Sequence, residues 1–238
     1  MLNTGTLSED TLALREHSSV FVKRVLEPAV AEMQEMQAIP TSVHEALRDA
    51  GYFGMTISPD YGGLGLGLLD YTVILEQIAW SHRQWTLYLA NNNGLASKVI
   101  GDLGTHAQRD RYLPGLATGD LLACFALTEP EAGSDANSIS TTAAKKGDKW
   151  VINGRKHYIS AADIADVTVV ITVTDKEKRS RGGMTAFLVD SDNPGRKVTR
   201  THQSIGVDAV KQSEIVFEDC EVGEDAVIGE VGDGFKIT

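Results

Sequence analysis

Little in this chain points to a metal, a disulfide or a membrane. Its 238 residues hold two cysteines, Cys124 and Cys220, far apart and in no CxxC pair. Cysteines so placed support neither a disulfide framework nor a structural zinc site. The histidines show no metal-ligand spacing either, and His157 is expected at a solvent-facing strand position. The longest apolar runs, such as Val167 to Val173, fall far short of the roughly 20 residues that cross a bilayer. The opening Met1-Leu2-Asn3-Thr4-Gly5 has no basic stretch leading into an apolar one, so no signal peptide is expected and the chain reads as cytoplasmic. Basic charge is also scarce. With 22 Lys and Arg against 33 Asp and Glu, the net charge of −11 argues against a general nucleic-acid binder. It leaves an anionic small ligand open, because local groups decide that. From Glu214 to Asp233 eight acidic residues occur without a Lys or Arg, which reads as a solvated acidic rim. There is no internal repeat and no low-complexity tract.

What is present is a change of period. Apolar residues make up 42% of the chain, ample for a core, and up to about residue 120 they recur at helical spacing. Leu14, Phe21, Val22 and Val25 lie in a glycine-free stretch that Pro28 should kink or divide. Ser42 with Glu45 has the form of a capping box, and Gly51 that of a helix stop. Tyr71, Ile74, Leu75 and Ile78 form an amphipathic stripe, and Thr105 with Gln108 is a second capping box. These stripes are core packing. Asn91-Asn92-Asn93 reads as a loop or helix-end cluster, with amides near a ligand tail as the alternative. After Asp120 come short β-prone runs parted by turn chemistry at Lys146-Gly147-Asp148, Asn153-Gly154, Arg181-Gly182-Gly183 and Asn193-Pro194-Gly195. Asn153-Gly154 predicts a hairpin. The fold class is therefore α+β: an all-helical domain over 1–120, then a small antiparallel β-barrel or sandwich over 121–233.

The glycine-rich Pro59-Asp60-Tyr61-Gly62-Gly63-Leu64-Gly65-Leu66-Gly67 is not a nucleotide fingerprint. Its spacing is not GxGxxG, and neither a preceding strand nor a βαβ unit frames it. It reads as a connection between helices.

Two signatures carry the chemistry. Cys124-Phe125-Ala126-Leu127-Thr128-Glu129-Pro130-Glu131-Ala132-Gly133-Ser134-Asp135 is followed by Trp150-Val151-Ile152-Asn153-Gly154-Arg155-Lys156-His157-Tyr158-Ile159-Ser160, with Thr128 and Ser160 at equivalent points 32 positions apart. Each joins an apolar run to hydroxyl and glycine positions, where a polar planar ligand can come close. Alone, each is an ordinary turn or hairpin. Together, in this order, they resemble the flavin-binding middle domain of the acyl-CoA dehydrogenase family, and the Tyr61-Gly62-Gly63-Leu64-Gly65 loop resembles one in that family's N-terminal helical domain.

The resemblance implies FAD as cofactor and an acyl-CoA thioester as substrate, with α,β-dehydrogenation and hydride transfer to flavin N5. It implies flavin contacts at Phe125, Leu127, Thr128, Gly133, Ser134, Tyr158, Ile159 and Ser160. Leu127 and Thr128 would supply backbone and hydroxyl donors on one ring edge, Ser160 a hydroxyl near N5, and Tyr158 a cover for the ring. Gly133 and Ser134 would approach flavin phosphate or the pantetheine arm, which makes Ser134 also a substrate contact. Neutral donors suit an edge on which negative charge grows. The chain departs from the family in having Tyr158-Ile159-Ser160 for Trp-Ile-Thr, Ala161 for the usual Asn, and Glu131 for a common Gly.

The resemblance covers about the first two-thirds of a typical member. Residues 234–238 would begin a third, helical domain, which in the family carries the glutamate base; Glu129 and Glu131 belong to the flavin motif and are not that base. The full-length protein is expected to be a homo-oligomer, dimer or tetramer, passing electrons to an electron-transfer flavoprotein in fatty acid metabolism. An oxidase or monooxygenase on the same scaffold, and a non-catalytic CoA-binding fragment, are the alternatives.

Overall fold

The computed structural model describes residues 7–238. Helices come first: α1 (Glu9–Phe21), α2 (Val30–Met36), α3 (Thr41–Asp49), α4 (Leu68–Ser81), α5 (Arg83–Ala90), α6 (Ala96–Leu103) and α7 (His106–Thr118). The strands follow: β1 (Ala123–Ala126), β2 (Thr142–Lys146), β3 (Lys149–Ser160), β4 (Val167–Val173), β5 (Met184–Asp190), β6 (Arg196–Ser204), β7 (Val207–Gly223) and β8 (Val227–Ile228), with a last turn of helix, α8 (Gly234–Ile237). Pro28 divides the first helical stretch as expected: α1 runs into a π-turn over Val22–Leu26 and the helix restarts at Val30. Thr105 and Gln108 bond reciprocally as a capping box. Ser42 does not cap α3; the helix starts at Thr41, with Pro40 at the N-cap and no side-chain bond.

The eight strands form one sheet in the order β6-β7-β3-β2-β4-β5-β8, with β1 beside β4. Its pairings are antiparallel except those of β4 with β1 and with β2. The two sheet ends, β6 and β8, do not pair with each other, so the layer curls without closing. β4 is buried on every residue because both of its faces are covered. Val169 and Ile171 face Ile100, Leu113 and Leu116 of the helices, whereas Val170 packs with Ile152, Phe187 and Phe217 inside the sheet's curl.

The predicted hairpin at Asn153-Gly154 does not form. Both residues lie inside β3, and the chain reverses instead at Gly147, whose φ of 66° marks the turn into that strand. Gly154 is there because the neighbouring chain is too close. A Cβ would lie 2.5 Å from Thr141 Oγ1 and 2.6 Å from Thr141 Cα, at a register shift between β3 and β7.

The Asn91-Asn92-Asn93 cluster is a buried π-turn linking α5 to α6. The Asn92 amide donates to the carbonyls of Leu116 (2.9 Å) and Leu121 (2.8 Å), and its oxygen accepts from the Ala123 N–H at 3.1 Å. Asn93 donates to Tyr52 and Leu89. The amides thus fasten the helical layer to the first strand.

Candidate functional site

The two signatures are brought side by side where β1 ends. His157 of β3 donates its backbone N–H to the Thr128 carbonyl at 2.8 Å, and Lys156 donates its ammonium to the Leu127 carbonyl at 2.9 Å. A tight turn then reverses the chain, with Glu129 and Ala132 exchanging backbone hydrogen bonds. Gly133 and Ser134 sit beyond it on an exposed loop, which the Asp135 side chain closes by accepting from the Asn137 N–H.

A fully buried ion pair supports this turn. Lys156 has no exposed side-chain surface and lies 2.9 Å from Glu129 Oε1, which is also buried. The Glu129 carboxylate further accepts from the Ser140 N–H and hydroxyl, each at 2.6 Å, and from the Thr141 N–H at 2.9 Å. Burial alone pushes this carboxyl up; the Lys156 charge and the Ser140 and Thr141 donors outweigh it and hold it below the usual carboxylate range. Burial in turn lowers the Lys156 ammonium, against the pull of Glu129. Lys156 carried a readable signal, because alternation along β3 puts it on the same inward face as Trp150 and Ile152.

Tyr158 projects outward, 54% exposed, from a backbone at φ 55°. Its ring rests on two histidines, with centroids 4.1 Å from His157 and 4.8 Å from His202. His157 is therefore half-buried in an aromatic cluster, not a simple solvent-facing position. Its Nδ1 lies 3.4 Å from Glu214, which accepts from Thr199 at 2.7 Å. Burial, then the neighbouring His157, lowers the His202 pKa. Glu214 is the exception to the acidic rim, being buried while Glu218, Glu221 and Glu224 are exposed and pair with surface lysines.

Ser160 ends β3 next to the helical layer, where its carbonyl accepts from Asn91 at 3.4 Å. Ala161 follows at φ 62°, where Asn is tolerated better than Ala. Ile159 is buried, and Phe125 is half-buried against the interlayer core.

Several donors here lack a partner. Among the described residues, the N–H groups of Leu127 and Thr128 and the hydroxyls of Thr128, Ser134 and Ser160 make no protein hydrogen bond. Gly133 is not required by packing, since a Cβ there would meet nothing within 4 Å. Unpaired neutral donors, an outward aromatic ring and an open glycine fit a flat polar cofactor whose edge needs hydrogen bonds. Among the described residues no cluster of His, Cys, Asp or Glu could hold a metal, and no helix is long and apolar enough to cross a membrane.

Comparison with known proteins identifies the family. Residues 8–120 match the acyl-CoA dehydrogenase N-terminal domain and residues 124–220 the acyl-CoA dehydrogenase middle domain. The mitochondrial short-chain specific acyl-CoA dehydrogenase of Rattus norvegicus is 33% identical over 231 residues, covering 97% of this chain and 56% of the rat protein. Butyryl-CoA dehydrogenase of Megasphaera elsdenii superposes with a TM-score of 0.90 at 30% identity, over 98% of this chain and 61% of that one. An FAD complex of PigA superposes with a TM-score of 0.91 at 28% identity, over 98% and 61%. The chain thus spans a little over half the length of its relatives, in the same two-part order of helices and sheet, and it belongs to the acyl-CoA dehydrogenase family.

Proposed function

We propose that this chain forms the N-terminal and middle parts of an FAD-dependent acyl-CoA dehydrogenase that removes hydrogen from Cα and Cβ of an acyl-CoA thioester. Residues 1–120 are read as the helical domain, 121–233 as the flavin- and acyl-CoA-binding domain, and 234–238 as the start of a further helical one. FAD, when bound, accepts the β-hydride. The chain's own residues bind and orient. The N–H groups of Leu127 and Thr128 and the Thr128 hydroxyl donate along one ring edge, Tyr158 covers the ring, Ser160 donates at its far side, and Ile159 and Phe125 close the apolar flank. Gly133 and Ser134 leave room for phosphate or the pantetheine arm. A cytoplasmic homo-oligomer, dimer or tetramer, that serves fatty acid metabolism and hands electrons to an electron-transfer flavoprotein completes the reading.

The observation that carries the proposal is the pair of unbonded N–H groups at Leu127 and Thr128 beside the outward Tyr158. Glu129 is not the base, because its carboxylate is occupied by Lys156, Ser140 and Thr141. The base that takes the α-proton is placed outside residues 1–238. Titration of FAD into the protein, followed by flavin fluorescence, tests the site. Thr128→Ala and Ser160→Ala should each weaken binding about fivefold, the equivalent of about 1 kcal/mol for one neutral hydrogen bond. Unchanged affinity in both variants would remove those hydroxyls from the site. Turnover of a panel of acyl-CoA thioesters by the 238-residue chain with an artificial acceptor would show that the base lies within it.

A further inference from the structure

Lys156 is the only ammonium that the described side chains bury completely, and it is not among the flavin contacts proposed for the site. It has two acceptors, both at 2.9 Å: Glu129 Oε1 and the Leu127 carbonyl. That carbonyl belongs to the same peptide unit as the Thr128 N–H. No peptide among the described residues is cis, so the two groups point in opposite directions across one planar unit. Lys156 approaches from the interior, and the Thr128 N–H therefore faces outward on the side where it is unbonded.

We infer that Lys156 is a positioning residue that polarises the Leu127–Thr128 peptide and so makes the Thr128 N–H a stronger donor to the electron-rich edge of a bound flavin. A charge-assisted bond to a carbonyl withdraws electron density from its peptide, and bonds in series strengthen one another. Glu129 has two tasks: it compensates the buried charge and fixes the ammonium on the Leu127 carbonyl. A bare lysine aimed at the flavin would need desolvation and would be free to move. Relayed through a planar peptide whose carbonyl is held by Lys156, the charge acts at a fixed place and direction. The effect is larger on reduced flavin than on oxidised flavin, because negative charge grows on the ring edge upon reduction.

The inference rests on the flavin reading of the site, so the test separates the two. Lys156→Met and the double variant Lys156→Met with Glu129→Gln both remove the ammonium; the second leaves no unpaired buried carboxylate and is the one expected to keep its fold. Two measurements are made on the whole chain. In the flavin-free protein, the Thr128 amide 15N resonance should move to lower shift in either variant, since the bond to the preceding carbonyl is lost. With FAD added in excess, reduced flavin should lose about tenfold more affinity than oxidised flavin. For a two-electron couple this lowers the midpoint potential by about 30 mV. A Thr128 resonance that stays in place, or one that moves while the potential does not, overturns the inference and leaves the FAD site intact. An FAD affinity that neither Thr128→Ala nor Ser160→Ala changes overturns the functional reading of the site and this inference with it.

Discussion

Replacing Asn92 by alanine should be among the most damaging changes outside the candidate site. Asn92 is 1% exposed and makes three hydrogen bonds to main-chain groups of other segments. The Ala123 N–H loses its acceptor in a position that is 1% exposed, and an unsatisfied buried donor costs about 1–3 kcal/mol. The Leu116 carbonyl lies in the last turn of α7, where helix geometry offers no partner, and the Leu121 carbonyl lies in the turn that follows. Each adds about 0.5–1.5 kcal/mol. The sum is roughly 2–6 kcal/mol, which for a chain of this size lowers Tm by roughly 4–24 °C. Asn92→Asp should be at least as harmful, although it keeps the shape, because its oxygens would face two carbonyls. Urea unfolding followed by circular dichroism measures both, with Asn91→Ala as the comparison, since Asn91 makes one 3.4 Å bond and should lose about 0.5 kcal/mol or less. A loss below about 1 kcal/mol for Asn92→Ala would mean that the amide does not fasten the two layers.

Three further outcomes are expected. Glu129 is held below its unfolded pKa, so the unfolded chain binds more protons as the pH falls; the stability it contributes is present above the ordinary carboxylate range and is lost on acidification, a dependence that Glu129→Gln should flatten in denaturation curves from pH 6 downward. Ala161→Gly should stay within about 0.5 kcal/mol of wild type, because relief of the left-handed backbone offsets the lost methyl, whereas Ala162→Gly, equally buried at ordinary φ, should cost about 1–2 kcal/mol; equal losses would refute strain at Ala161. Gly154→Ala should destabilise by about 2–3 kcal/mol, since its Cβ meets the Thr141 main chain, and a thermal scan showing no change would contradict the close approach.

Features that depend on neighbours in sequence were legible. The loss of helical period, the Thr105 capping box and the break at Pro28 are local, and the chain's own spacing decides them. Asn153-Gly154 misled for the same reason: the dipeptide favours a two-residue hairpin, but here a segment a dozen residues earlier comes within contact distance and requires a glycine inside a continuous strand. Tertiary packing overrode turn preference. The Asn91-Asn92-Asn93 cluster could not be read either, because its partners lie 24 to 41 residues away for Asn92 and for the Tyr52 bond of Asn93. Three consecutive amides look like a surface loop until those carbonyls are placed.

The site divides in the same way. The residues read as cofactor contacts were drawn from short motifs, because a cofactor edge calls for hydroxyls, glycine and an aromatic, and the fold brings the two motifs together at Thr128 and His157. The machinery behind them was legible only in part, since alternation along β3 places Lys156 inward but does not name its partners. Lys156 and Glu129 sit inside the two signatures, yet only the fold shows that one grips the other across β1 and β3 and fixes the main chain at Leu127. His202 and Glu214, which back Tyr158 and His157, come from β6 and β7, more than 40 residues beyond the second signature. A motif records what the ligand touches. The charges and rings that hold those contacts in place belong to the sheet, so they become visible only when the strand order β6-β7-β3 brings three distant segments onto one surface.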